Sequence, residues 1–255
     1  MVGVAPPAGF VRVSAGRCAA VVLAALTDDA RTLLAEGSLY EAAARDLAAR
    51  PLQGRGVAYA IALPQSGVRV VVRHNRHGGL LAPLTRDLFL PPTRAPLELA
   101  IAQRLEQLGV PTPEVLMYGI APAPFLFQRA DVVTREIIGG RDLSIFMAAT
   151  VTAAERTAAW DATRALVRAM NAAGVRHHDL NVKNVLISAG ARGPGLTAYL
   201  LDVDRVAFGT PNSIDLRRGN VERLRRSARK WRDEHGATFD EQELSGLADA
   251  SDTVR

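Results

Sequence analysis

The sequence predicts an α+β fold of two lobes, β-rich over residues 1–138 and helix-rich over 139–255. Three observations predict it. Two strand-prone runs, Val57–Leu63 and Val68–Arg73, flank the turn Pro64-Gln65-Ser66-Gly67. One helical pattern, Leu97, Ile101, Leu105 and Leu108, follows in that half. Beyond Gly139-Gly140 helical spacing dominates.

The bulk numbers fit this reading. The 255-residue chain is long enough for one large or two small cores. It is 48% hydrophobic and 22% charged, as a globular protein is. A net charge of +5 suits an anionic partner such as a nucleotide, phospholipid headgroups or nucleic acid, without choosing among them, and equally a basic solvated surface. The single cysteine, Cys18, excludes an internal disulfide and reads as a small packed hydrophobe. The apolar run Cys18–Leu26 meets Thr27-Asp28-Asp29 without a clear small-residue cleavage site, so it reads as an element of the fold. No stretch reaches the roughly 18–20 apolar residues of a membrane span.

In chain order, Leu39–Leu47 has a helical pattern, and Gly54-Arg55-Gly56 precedes the hairpin. Pro96 starts a helix that Gly109 ends. Val115–Ile120 and Ala130–Ile138 read as strands, and Leu143–Ala149 as a short apolar helix. Thr152 with Glu155 spells a capping box for a helix running to Ala173, closed by Gly174. Strands are expected at Val185–Ile187 and Ala198–Leu201, around a Gly-rich turn at 190–195. A basic helix follows at Val221–Arg232, and then a polar tail.

The chemistry concentrates in the loop after the long helix. His177-His178-Asp179-Leu180-Asn181-Val182-Lys183-Asn184 follows the phosphotransfer pattern H-R-D-L-x-x-x-N, with His178 in place of Arg. In that pattern Asp179 accepts or orients the proton of an attacking hydroxyl, and Asn184 offers an oxygen to Mg²⁺. His177 reads as a brace for the loop. Downstream, the strand ending Leu200-Leu201 delivers Asp202 and Asp204 at i and i+2, which share a side if the chain stays extended. Paired acids call for a cation, and Mg²⁺ suits a hard oxygen site.

Upstream, Gly54 and Gly56 allow backbone N–H groups to approach phosphates. Arg73 ends the second strand of the hairpin and Glu98 opens the next helix, the places of a phosphate-holding cation and its carboxylate partner. A surface Arg and a dipole-stabilised helix Glu are the plainer reading of that pair. His74 and His77 lie in a basic loop, against an anionic acceptor or in solvent, and no His/Cys spacing suggests zinc. The basic helix, with Arg217, Arg218, Arg223, Arg225, Arg226, Arg229, Lys230 and Arg232 around Trp231, fits an anionic membrane, nucleic acid or a solvated face.

Taken together these segments resemble the lipopolysaccharide kinase family, which holds 3-deoxy-D-manno-octulosonic acid (Kdo) kinases and core heptose kinases. The resemblance runs from Gly54 to Lys230. It is carried by Gly54-Arg55-Gly56, Arg73-His74-Asn75-Arg76-His77-Gly78-Gly79, Asp179–Asn184, Leu201-Asp202-Val203-Asp204-Arg205 and Asn220–Ser227. Arg-His-x-x-x-Gly-Gly and Asp-Leu-Asn are closer to the Kdo kinase branch. Two departures concern the acceptor side: Asn75 and His77 in the Arg-His stretch, and Val182-Lys183 where Ala-His is expected.

The resemblance implies a bilobal protein-kinase-like fold with a β-rich N-lobe and a reduced helical C-lobe. It also implies ATP as donor, Mg²⁺, and a sugar hydroxyl of a Kdo-lipid A precursor as acceptor. Asp179 would be the catalytic Asp, with Asn184 and Asp202 as metal ligands. The place of action would be the cytoplasmic face of the inner membrane, by peripheral contact and without nucleic acid. A small-molecule or protein kinase of the same superfold, and a non-catalytic pseudokinase-like module, stand as alternatives.

Overall fold

A computed structural model describes residues 5–53, 56–75, 88–189, 195–236 and 238–252, with the side chains of 248–252 left aside. It divides into two compact units, Met1–Gln103 with Glu114–Glu136, and Arg104–Pro113 with Ile137–Arg255.

The first unit is built on an antiparallel sheet. Its strands among the described residues are β1 (Phe10–Ala15), β2 (Cys18–Leu23), β3 (Arg50–Leu52), β4 (Ala58–Ala62), β5 (Arg69–His74), β6 (Val115–Pro122) and β7 (Gln128–Arg135), in the order β1-β2-β6-β7-β5-β4-β3. The hairpin expected around Pro64–Gly67 is β4–β5, with Ala60 opposite Val71. The apolar run at Cys18 is a strand because its residues alternate inward onto the core at Ala20 and Val22. Burial and the carboxylates of Glu41 and Asp131 raise the pKa of the Cys18 thiol, which keeps it an unreactive packing group.

Two short helices, α1 (Thr27–Ala35) and α2 (Leu39–Arg45), cover one face of this sheet, burying Leu33, Leu34 and Leu39 with Val70, Val72, Met117 and Val133. α2 starts on a capping box between Ser38 and Glu41. It lies so close that a Cβ on Gly119 would stand 2.9 Å from Leu39 Cδ1. α3 (Ala95–Gln107) supplies Glu98 in its first turn and ends before Gly109, whose φ is +72°.

The second unit holds α4 (Leu143–Ala148), α5 (Ala153–Ala172), α6 (Ile214–His235) and α7 (Glu241–Asp252) among its described residues. β8 (Arg141–Asp142), β10 (Val185–Ala189) and β11 (Leu196–Leu200) form one small sheet; β9 (Val175–His177) pairs with β12 (Val206–Phe208). The Thr152–Glu155 capping box opens α5. Gly174 closes it at φ +68°, with Gly209 O only 2.3 Å from where a Cβ would stand, so no other residue fits that turn.

Two expectations change. The basic helix begins at Ile214, seven residues before the expected start at Val221, because Leu216, Val221, Leu224 and Ala228 bury an apolar stripe. The polar tail is a helix, α7, anchored by buried Phe239, Leu244 and Leu247. Phe239 meets Trp160 edge-on at 6.1 Å, and Arg156 pairs with Glu243 at 2.5 Å.

Candidate active site

β9 runs directly into the loop that carries the phosphotransfer pattern. Its last residue, His177, is fully buried. His177 Nδ1 accepts the Asp179 N–H at 3.2 Å, which fixes the proton on Nε2. Nε2 then donates to the carbonyls of Leu201 and Asp202 at 3.2 and 3.1 Å. One imidazole thus ties the start of the loop to the segment bearing Asp202.

Burial lowers the pKa of this histidine from its ordinary 6.5, against the raising effect of those carbonyls and of Asp202 and Asp179. The folded protein therefore holds it neutral. Its stabilisation is full above 6.5 and is lost as pH falls from there through the lowered folded value, because the unfolded chain takes up the proton first. Thermal melts at pH 8 and pH 5 check this. The wild type is expected to lose more stability between them than His177→Phe, which is less stable throughout but has a flatter profile.

The loop is tied at further points. The Asp179 carbonyl accepts both Asn181 Nδ2 and Asn184 Nδ2, each at 2.9 Å. Asn181 Oδ1 caps the 3₁₀ turn Val182–Asn184 through the Lys183 N–H at 3.0 Å. Leu201 N–H donates to Asn184 O at 2.9 Å, and His178 N–H to Arg205 O at 2.9 Å. Asp179, Asn184 and Asp202 therefore belong to one hydrogen-bonded body.

A helix far along the chain completes it. Asn220 of α6, fully buried, accepts the His177 N–H at 3.2 Å and donates to Val175 O at 2.8 Å. Arg223 Nε donates to His178 O at 3.1 Å, and Ser227 Oγ accepts the Val182 N–H at 3.2 Å. Positions 220, 223 and 227 share a helix face, so α6 presents a polar row to the loop. The sequence shows these residues within the resemblance-bearing segment Asn220–Ser227, but the surrounding arginines obscure the spacing. The same helix is less free a cation than its composition implies: Glu241 bridges Arg229 and Arg232, both at 2.9 Å, and these guanidiniums hold its carboxyl at a pKa of about 2.

The two acids after β11 do not stand as an extended strand would place them. Asp202 takes the left-handed conformation, φ 53° and ψ 49°, and Val203–Arg205 form a 3₁₀ turn. The i, i+2 argument for a shared side therefore fails at Asp204, which lies 3.9 Å from the Arg205 guanidinium. Asp202 is half-buried, and its carboxylate makes no hydrogen bond or ion pair among the described residues. Asn184 spends its Nδ2 on Asp179 O, leaving Oδ1 as the atom to face a ligand. No cluster of three or more His, Cys, Asp or Glu suited to a metal occurs among the described residues. One carboxylate and one amide oxygen instead match the sparse protein ligation of Mg²⁺ carried with substrate phosphates. The residues present fit that ion.

In the first unit, Arg73 at the end of β5 is hydrogen-bonded and ion-paired to Glu98 of α3, whose side chain is 2% exposed. Arg73 also donates to Asn75 Oδ1 at 3.3 Å. Gly56 lies at the bend before β4. Gly54, like Arg55 and the Arg76–Gly79 part of the Arg-His stretch, lies outside the described residues.

His74 is not a solvent-exposed loop residue. Its Nδ1 lies 2.5 Å from the buried Asp131 carboxylate, and its ring stacks on Tyr40 at 3.7 Å. Asp131 also accepts the Tyr40 N–H at 3.0 Å, and Tyr40 Oη donates to Val57 O at 3.0 Å, beside Gly56. This cluster welds α2 to the sheet. The sequence hides it because Asp131 reads as one polar residue inside a strand.

The profile of the lipopolysaccharide kinase (Kdo/WaaP) family matches residues 43–244. A 3-deoxy-D-manno-octulosonic acid kinase of Stenotrophomonas maltophilia (strain R551-3) is 32% identical over 217 residues, covering 83% of this chain and 82% of that one. One from Haemophilus influenzae is 29% identical over 204 residues, 78% and 82% of the two chains. The solved structure of WaaP in complex with acyl carrier protein shares the fold at a TM-score of 0.52 and 17% identity, over 87% of this chain and 85% of that one.

Proposed function

The chain belongs to the lipopolysaccharide kinase (Kdo/WaaP) family and is a kinase with a protein-kinase-like fold, and on that premise we propose that it moves the γ-phosphoryl group of ATP onto a hydroxyl of Kdo in a Kdo-lipid A precursor. The observation that carries the reading is the body formed by Asp179, Asn184 and Asp202 through His177.

In this reading Asp179 accepts the proton of the acceptor hydroxyl as its oxygen attacks the γ-phosphorus; the bond to the β-phosphate oxygen breaks and ADP leaves. Asn184 Oδ1 and the Asp202 carboxylate would hold Mg²⁺, which neutralises phosphate charge when bound. Arg73, oriented by Glu98, would serve the donor phosphates in place of the usual lysine. Asp204 makes the lesser contribution to the metal. His177 and Asn220 position the loop and do not touch substrate.

The acceptor is lipid-linked, so the reading includes peripheral contact with the cytoplasmic face of the inner membrane. No helix among the described residues is long and apolar enough to cross a membrane. Exposed Arg218 and Arg226 on α6 supply positive charge for such contact. The test is Mg²⁺-dependent ATP turnover with and without Kdo-lipid A. Stimulation by that acceptor, and not by free sugars lacking Kdo or by protein substrates, is the expected result. Equal turnover with unrelated acceptors would overturn the reading.

A further inference from the structure

The chain is rich in arginine but has two lysines, Lys183 and Lys230, the second directly before Trp231 in sequence. Lys183 lies in the 3₁₀ turn between Asp179 and Asn184, with its side chain exposed. Its ammonium stands 4.8 Å from the centroid of the Trp231 ring. Trp231 is stacked on His235 at 4.0 Å and 21°. Lys230 has its own carboxylate, Glu234, at 3.9 Å. Lys183 makes no ion pair with a carboxylate among the described residues.

This mount is tied to the chemistry. Ser227, one turn before Trp231 on α6, holds the Val182 N–H, and Asn181 holds the Lys183 N–H. Four residues span at most about 14 Å even when extended, so the Lys183 backbone stays within a saccharide's reach of Asp179. An indole face holds an ammonium by its quadrupole without neutralising it, so the ammonium keeps its attraction for an anion. His235 braces the indole, and the indole aims the lysine.

We propose that Lys183, mounted on Trp231, is the specificity-determining residue that takes the anionic oxygen group of the acceptor. This rests on the reading of the chain as a kinase of an acidic lipopolysaccharide saccharide. Two groups of that acceptor have the required chemistry, the sugar carboxylate and the lipid A phosphates, and a charge-assisted hydrogen bond from the ammonium serves either.

The experiment compares wild type, Lys183→Met and Trp231→Leu in steady-state kinetics with Kdo-lipid A. Three acceptors are used: intact, with the sugar carboxylate converted to its amide, and with the lipid A phosphates removed. With the intact acceptor, Lys183→Met is expected to raise the acceptor KM about tenfold and leave the KM for ATP unchanged, the loss expected for one exposed charge-assisted contact. Trp231→Leu shifts the acceptor KM in the same direction by less. The lysine effect disappears with whichever altered acceptor lacks the recognised group, which names that group.

A Lys183→Met effect that persists undiminished with both altered acceptors, an unchanged acceptor KM, or an equal rise in the KM for ATP would overturn the proposal and leave the functional reading intact. A wild type that phosphorylates none of the three acceptors while turning over ATP would overturn both.

Discussion

Asp179→Ala is expected to fold as the wild type does and to lose phosphoryl transfer by a factor of about 10³ or more. The loop owes its shape to backbone atoms of Asp179: its N–H on His177 Nδ1 and its carbonyl under Asn181 and Asn184. Alanine keeps both. It removes the carboxylate proposed to accept the hydroxyl proton, a role of general bases worth about 10²–10⁴ in rate. Circular dichroism and a thermal melt report the fold, and single-turnover transfer reports the chemistry. A folded Asp179→Ala protein with wild-type turnover would remove Asp179 from the mechanism.

Asp202→Asn is the second large effect. Asparagine tolerates the left-handed conformation that Asp202 adopts, and the Asp202 carbonyl that receives His177 is untouched. The substitution therefore isolates the carboxylate charge. Loss of this proposed metal ligand is expected to lower kcat/KM for Mg-ATP by on the order of 10²-fold, with a higher Mg²⁺ requirement. Asp204→Asn is expected to cost less, since Asp204 lies in the 3₁₀ turn with Arg205 at 3.9 Å. A titration of activity against Mg²⁺ separates the two. Equal effects would restore Asp204 as an equal partner, and an unchanged Asp202→Asn protein would remove Asp202 from the metal.

Much of this was legible from local pattern. The β4–β5 hairpin, the capping box at Thr152, the glycines at 109 and 174 and the 177–184 loop each depend on residues adjacent in sequence. The resemblance to lipopolysaccharide kinases, read from those segments, agrees with the family to which the chain belongs. Contacts between distant residues were not legible. Asn220 reaches His177 across 43 residues, and Asp131 reaches Tyr40 across 91. In α7 the stripe of Leu244 and Leu247 is too short for periodicity to outweigh its polar neighbours. The geometry at Asp202 departs from the sequence pattern for a different reason. Period-two reasoning assumes that a strand continues, and here it ends at Leu200.

Phosphorylation of Kdo on lipid A by this loop is read out by following the phosphate. Wild-type protein is incubated with γ-labelled ATP, Mg²⁺ and Kdo-lipid A, and the product is cleaved by mild acid between the sugar and the lipid. The expected result is label released with the Kdo sugar, and none in the Asp179→Ala reaction. Label that stays with lipid A, or no labelled glycolipid at all while ATP is consumed, would contradict it.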